Sequence, residues 1–185
     1  MYRKDAMFYS TIYDSPLGRI TLASDGCNIV GLWIAGQKYF AATIKDHIEE
    51  KPDLPVFGTA KKWLDAYFAD KRPGIFELPL APAGGEFRKI VWDILCEIPY
   101  GQCTTYGEIA KKISARMNKK SMSSQAVGGA VGHNPISIII PCHRVVGSKG
   151  NLTGYAGGID KKVKLLKLEG VDTSAFFIPV KGTAL

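Results

Sequence analysis

Cysteine and histidine are scarce in this 185-residue chain, and neither is clustered. The cysteines are Cys27, Cys96, Cys103 and Cys142, with no CxxC pair, and the histidines are His47, His133 and His143, at no metal-ligand spacing. That argues against a zinc site and against a disulfide framework. Scattered thiols instead fit a reducing compartment, and a cytoplasmic protein is expected. No apolar run reaches membrane-spanning length and the N-terminus lacks a signal-peptide core, so no membrane partner is expected. A strand-to-helix GxGxxG is missing too, which removes a dinucleotide fingerprint.

Acidic residues are in short supply in one half only. Residues 1–82 carry 10 Lys+Arg and 10 Asp+Glu, whereas residues 83–185 carry 14 and 7. The whole net charge of +7 therefore lies in the second half. A basic half points to a polyanion such as nucleic acid, against the simpler reading of a solvated lysine surface. The Pro/Gly-rich stretch 78–85 falls at the same place and divides the chain into expected domains 1–82 and 83–185.

In the first domain, residues 7–13, 19–24 and 27–34 read as strands of an antiparallel meander, punctuated by Ser15-Pro16-Leu17-Gly18 and Asp25-Gly26. Residues 37–50 place Tyr39, Phe40, Thr43, Ile44, His47 and Ile48 on one helical face, and Pro52 and Pro55 end that helix. Thr59 caps a further helix carrying Ala60, Trp63, Leu64, Tyr67 and Phe68 at core spacing. Nothing in this half points to catalysis.

The second domain begins with a well-patterned helix, 86–98, bearing Phe87, Ile90, Val91, Ile94, Leu95 and Ile98. Thr105-Tyr106-Gly107-Glu108 is a capping box, so another helix starts near Tyr106. A basic connection, 116–121, leads to a third helix, 125–133, in an order that resembles a helix-turn-helix. That helix contains Gly128, Gly129 and Gly132, each costing about 0.8–1.0 kcal/mol against alanine. Small residues permit close approach, either to another helix or to a DNA groove. Asn134-Pro135 stops it, and Asp160 caps a last helix closed by Gly170. The glycine-rich loop 153–158 lines a pocket for a flat ligand or is an ordinary turn. Glu169 is awkward at a helix C-terminus, where cations are preferred, although an exposed carboxylate is the simpler reading.

The chain centres on residues 138–146, Ile-Ile-Ile-Pro-Cys-His-Arg-Val-Val. Its β-branched flanks read as buried strand, 136–140 leading in and 141–145 carrying Cys142 beside His143. Two readings stand: an inert buried cysteine, or a nucleophile on a rigid element with a base beside it. A cysteine hydrolase is a poor fit, because the partners of a catalytic cysteine usually come from distant chain positions.

Pro141-Cys142-His143-Arg144-Val145, preceded by Asn134-Pro135 and Ala126-Val127-Gly128, resembles the signature of the methylated-DNA–protein-cysteine methyltransferases, or O6-alkylguanine-DNA alkyltransferases. The resemblance covers about residues 86–171 closely and the first domain in layout only. It implies an α+β fold, with an N-terminal ribonuclease H-like sheet with helices and a mainly helical winged helix-turn-helix domain. It implies a monomer that binds double-stranded DNA containing alkylated bases and moves the alkyl group irreversibly to Cys142, without cofactor or metal. Relatives that recognise lesions without repairing them lack this cysteine. The resemblance assigns His143 as base through a water, Glu169 as its orienting group, Asn134 as the holder of the turn and Tyr106 as proton donor. It puts Gln125, Ala126, Gly128, Gly129 and Arg144 on DNA, and Tyr155, Ala156, Gly157 and Gly158 around the base. Two departures stand out: Gln125 occupies the place of an inserted arginine, and Ala156 that of a serine.

Overall fold

The computed structural model describes residues 7–44 and 47–178. It is a mixed α+β protein of two compact units, Met1–Ala83 with Pro135–Ile139, and Gly84–Asn134 with Ile140–Leu185. The five residues Pro135–Ile139, ahead of the cysteine turn, thus group with the first unit.

The first unit holds β1 (Phe8–Ser15), β2 (Gly18–Ser24), β3 (Ile29–Ile34), β4 (Ile48–Glu50) and α1 (Pro55–Phe68). The sheet order is β3-β2-β1-β4, antiparallel except for β1 with β4. Ile20, Leu22, Leu32 and Ile34 are fully buried in it, as are Phe57, Ala60 and Leu64 of α1. The three meander strands form where alternation and turn residues place them.

Two expectations fail here. The helix expected over 37–50 is absent: residues 38–43 make turns, Tyr39 and Ala41 have φ of 58° and 53°, and 48–50 form β4. Residues 45 and 46 of that span lie outside the described residues. Tertiary partners override the helical spacing. The buried Gln37 accepts from the Ile34 N–H at 3.1 Å, Phe40 packs on Trp33 at 5.4 Å, and Ile48 pairs with Phe8. The second failure is at α1, which begins at Pro55 and not at Thr59. Proline is well suited to the first helical position, where its missing N–H costs nothing.

The strand expected over 136–140 is also absent. Only Ile136 bridges, to Leu32, whose N–H and C=O meet Pro135 O and Ser137 N at 2.8 and 3.0 Å. Ile138 then turns with φ 71°. Ile136, Ile138, Ile139 and Ile140 are all buried. A short apolar run reports burial, and burial does not dictate extended backbone.

The second unit holds α2 (Glu86–Cys96), β5 (Thr104–Thr105), α3 (Tyr106–Arg116), α4 (Ser124–Gly132), β6 (Val145–Val146) and α5 (Ile159–Leu168). Val91, Ile94 and Leu95 of α2 form a core with Ile109 and Ile113 of α3 and Val127 and Val131 of α4. The Trp92 indole N–H donates to Ala130 O at 3.0 Å, fastening α2 to α4. β5 and β6 pair in parallel, Thr104 with Val145. This places the start of α3 beside the chain leaving Cys142. The α5 cap is Gly158, at φ 96°, and not Asp160.

The expected capping box is present in both directions. Glu108 N–H donates to Thr105 Oγ1 at 3.2 Å, and Thr105 N–H donates to Glu108 Oε2 at 2.8 Å. Thr105→Ala should therefore cost about 1 kcal/mol of stability, read as a lower urea midpoint at unchanged slope. An unchanged midpoint would mean that packing alone sets the start of α3.

Candidate active site

Cys142 opens a short 3₁₀ turn, Cys142–Arg144, and does not lie on the expected strand. Its N–H donates to Ile140 O at 2.8 Å, and Arg144 N–H donates to Pro141 O at 3.1 Å. The thiol is buried, 4% exposed. Asn134, just past the end of α4, donates one amide hydrogen to Ile140 O at 2.8 Å and the other to Cys142 Sγ at 3.1 Å. One buried side chain thus holds both the turn and the sulfur. Burial pushes the Cys142 thiol above its ordinary value, against the Asn134 hydrogen bond, the Lys162 charge and the N–H groups of Cys142 and His143. At neutral pH the resting group is therefore a thiol, already surrounded by the donors that a thiolate needs.

His143 is fully buried, and its Nε2 lies 2.7 Å from Glu169 Oε1. Burial lowers its pKa, and the charges of Arg144 and Lys162 add to this against the raising effect of Glu169. The imidazole is accordingly neutral at neutral pH. With Glu169 ionised, Nε2 carries the proton and Nδ1 the lone pair.

Glu169 is the C-cap of α5 and is 4% exposed, so the expectation of a surface carboxylate fails. Besides His143 it accepts from Arg144 Nε at 2.8 Å, Arg144 Nη2 at 3.0 Å and Gly101 N at 3.2 Å. Burial alone would raise its pKa, but the hydrogen bonds and charges of His143 and Arg144 prevail and hold it well below the usual carboxylate range.

Arg144 faces inward. It was expected on DNA, but it is 5% exposed, forks onto Glu169 and donates from Nη1 to Ile98 O at 2.6 Å. Its guanidinium also sits 5.6 Å from the centre of the Tyr100 ring. A bidentate arginine–carboxylate pair of this kind positions groups and does not reach outward. Gly101, at φ 73°, completes the cradle, since a Cβ there would lie 2.8 Å from Glu169 O.

Tyr106, the first residue of α3, donates to Thr153 O at 3.2 Å, with Gly154 O at 3.4 Å. Burial and the nearby Cys142 push its pKa up to about 12. Tyr155 is buried in the loop that Tyr106 holds, and a Cβ on Gly157 would lie 2.7 Å from its ring. Ala156 is half-buried and Gly158 exposed. On α4, Gln125, Ala126 and Gly129 are exposed on one face, while Gly128 packs against Tyr106, its would-be Cβ 3.8 Å from that ring. Of the α4 glycines, Gly128 packs closely on Tyr106 and Gly129 lies on the open face.

Direct bonds join Asn134, Cys142, His143 and Glu169 through one turn. Tyr106 and the Tyr155 loop are joined to each other. Lys162 was missed by sequence reasoning. It is fully buried on α5, and its Nζ donates to Val145 O at 2.6 Å and Thr153 O at 2.9 Å. The signal was there: Lys162, Leu165, Leu166 and Glu169 follow the i, i+3, i+4, i+7 stripe of a buried face. Among the described residues, no group of three or more His, Cys, Asp or Glu could hold a metal ion, and no helix is long and apolar enough to cross a membrane.

Residues 86–171 match the 6-O-methylguanine DNA methyltransferase DNA-binding domain, and residues 8–82 match that family's ribonuclease-like domain. A methylated-DNA–protein-cysteine methyltransferase of Methanosarcina acetivorans is 48% identical over 88% of this chain and 98% of its own length. One from Haemophilus influenzae is 42% identical over 88% and 87%. The crystal structure of Mycobacterium tuberculosis OGT in complex with DNA superposes with a TM-score of 0.75 at 41% identity, over 88% of this chain and 92% of that one.

The depressed pKa of His143 has a consequence for acid stability. Its unfolded value is about 6.5, so below that pH the unfolded chain binds a proton that the folded one resists. Stability from this group is present above about pH 6.5 and is lost on acidification, and Glu169 adds a second loss below about pH 4. The melting temperature should fall as pH drops from neutral, and His143→Gln should remove the first part of that fall. A profile that does not change in the variant would place the loss elsewhere.

Proposed function

The chain belongs to the methylated-DNA–protein-cysteine methyltransferase family, and on that premise we propose that Cys142 is the acceptor of the alkyl group. It is a DNA-repair alkyltransferase that moves the group from DNA to its own cysteine. The observation that carries the assignment of Cys142 is its sulfur under the Asn134 amide, on the same turn as His143, which bonds Glu169.

The substrate is O6-alkylguanine, and O4-alkylthymine, in double-stranded DNA. O6 of a paired guanine lies inside the duplex, so the nucleotide is rotated out of the stack. α3 and α4 act as a helix-turn-helix, with the exposed face of Gln125, Ala126 and Gly129 in the groove. Gln125 hydrogen-bonds the orphaned partner base without adding charge. The flipped base enters against Tyr155 and the Ala156-Gly157-Gly158 backbone.

Transfer is an in-line displacement. His143, oriented by Glu169, takes the thiol proton through a water. The sulfur of Cys142 forms the S–C bond as the C–O6 bond breaks, and the electron pair moves into the guanine. Tyr106 supplies a proton as negative charge develops there. Its high pKa means that it keeps this proton until the base demands it. The product thioether is not reversed by thiol exchange, so each molecule acts once, as a monomer and without a cofactor. A cytoplasmic location suits a thiol that must stay reduced.

Incubation with a duplex containing O6-methylguanine should add one CH2 to the peptide containing Cys142, read by mass spectrometry. An adduct on Cys103, or none, would overturn the assignment. Cys142→Ala should lose transfer and keep DNA affinity. Asn134→Ala should slow transfer by about 10- to 100-fold, the value of a buried hydrogen bond to a charged group. Gln125→Arg should tighten DNA binding and steepen its salt slope by about one. An unchanged slope would remove position 125 from the interface.

A further inference from the structure

A fully buried lysine is costly unless its ammonium is well bonded and its charge has a use. Lys162 is 0% exposed. Both acceptors that hold it, Val145 O and Thr153 O, are neutral carbonyls. Val145 directly follows the cysteine turn, and Thr153 opens the loop that carries Tyr155. The Thr153 carbonyl also accepts from Tyr106, so one oxygen joins the tyrosine to the lysine, and the lysine joins both to the cysteine turn. Glu169 is not the counter-ion, since it is occupied by Arg144, His143 and Gly101.

The groups that face Lys162 electrostatically are Cys142 and Cys103, and it acts in turn on His143. Burial pushes Lys162 down to about 8, and the two thiols oppose that. Arg144 and Glu169 also act on Cys103, with opposite signs. Tyr106 is the remaining titratable neighbour of Cys142.

We infer that Lys162 is a positioning residue for alkyl transfer: its ammonium ties the cysteine turn to the base-pocket loop and supplies the counter-charge for the Cys142 thiolate. The inference rests on Cys142 being the acceptor. It also separates two kinds of donor around the sulfur. Asn134 offers one hydrogen bond at a fixed point, whereas Lys162 offers a charge that acts only when the thiol has lost its proton. Conversion to a thioether leaves the ammonium held by carbonyls alone, with no sulfur left that can ionise beside it.

The test uses Lys162→Gln and Lys162→Met. Gln keeps a donor for the carbonyls but no charge, and Met keeps only the bulk. Two rates are followed against pH: iodoacetamide modification of Cys142, located by peptide mass mapping, and methyl transfer from an O6-methylguanine duplex. DNA affinity is measured alongside. Both variants should move the alkaline limb of the iodoacetamide profile up by about one pH unit, as expected for loss of a close opposite charge. Methyl transfer at neutral pH should fall about tenfold, with DNA affinity held within about twofold. A Gln variant with wild-type pH profile and rate would overturn the inference, since hydrogen bonding alone would then suffice. If neither variant folds, the Nζ resonance of Lys162 can be titrated by NMR in the intact protein before and after methylation. Its midpoint should fall once Cys142 can no longer ionise, and an unmoved midpoint would overturn the inference. Should the wild-type protein carry no methyl group on Cys142, the acceptor assignment fails, and the iodoacetamide profile still tests the lysine.

Discussion

The set of hydrogen bonds to the buried Glu169 carboxylate is the interaction that holds the second unit's polar interior together. Glu169 ends α5, and it accepts from His143, from two nitrogens of Arg144 and from the Gly101 backbone. A lone carboxylate in that position would protonate or admit water. Paired with a bidentate arginine it stays charged, and a charged Glu169 fixes which nitrogen of His143 keeps the proton. Three segments, the turn 99–101, the cysteine turn 142–144 and the end of α5, are therefore locked to one another by four hydrogen bonds. The rigidity matters because displacement at carbon needs sulfur, carbon and oxygen in line, and a small misplacement costs much of the rate.

Two cations are buried near the thiol, and their duties differ. Arg144 is neutralised by the carboxylate that it orients, so its role is geometric. Lys162 is bonded only to neutral carbonyls, so its field reaches the sulfur. Planar arginine suits the first task and a compact ammonium the second. The basic character of residues 83–185 is thus not all surface. Part of the excess that suggests a polyanion partner is spent inside the molecule.

The helices of the second unit were legible because several local signals agreed. The stripe of α2, the Thr105–Glu108 box and the apolar face of α3 need no distant partner to be recognised. The meander was legible for the same reason, through alternation and turn residues. The span 37–50 was not, because its helical spacing competes with Gln37 bonding to Ile34 and Ile48 pairing with Phe8. Those partners lie far along the chain or in a side chain that looks unremarkable in isolation. The run of isoleucines before Cys142 misled in another way. Its burial was right, but Ile138 turns where a strand would continue.

The sequence by itself determined the family, through a cysteine beside a histidine, an asparagine eight residues earlier and a glycine-bearing helix between basic segments. Residue types and their spacing carry that information, because a reaction needs particular functional groups in a particular order. Only the tertiary structure decided where Arg144, Glu169 and Lys162 lie and what they bond. Arginine and lysine are exposed by default, and a glutamate after a helix is as well. Their burial requires partners from the 98–101 turn, the cysteine turn and the 153 loop, which are brought to α5 only when the unit closes. Cys142 was expected on a strand and sits on a 3₁₀ turn for the same reason. Asn134 reaches over to take Ile140 O and Sγ together, and that pair of bonds exists only in the folded chain.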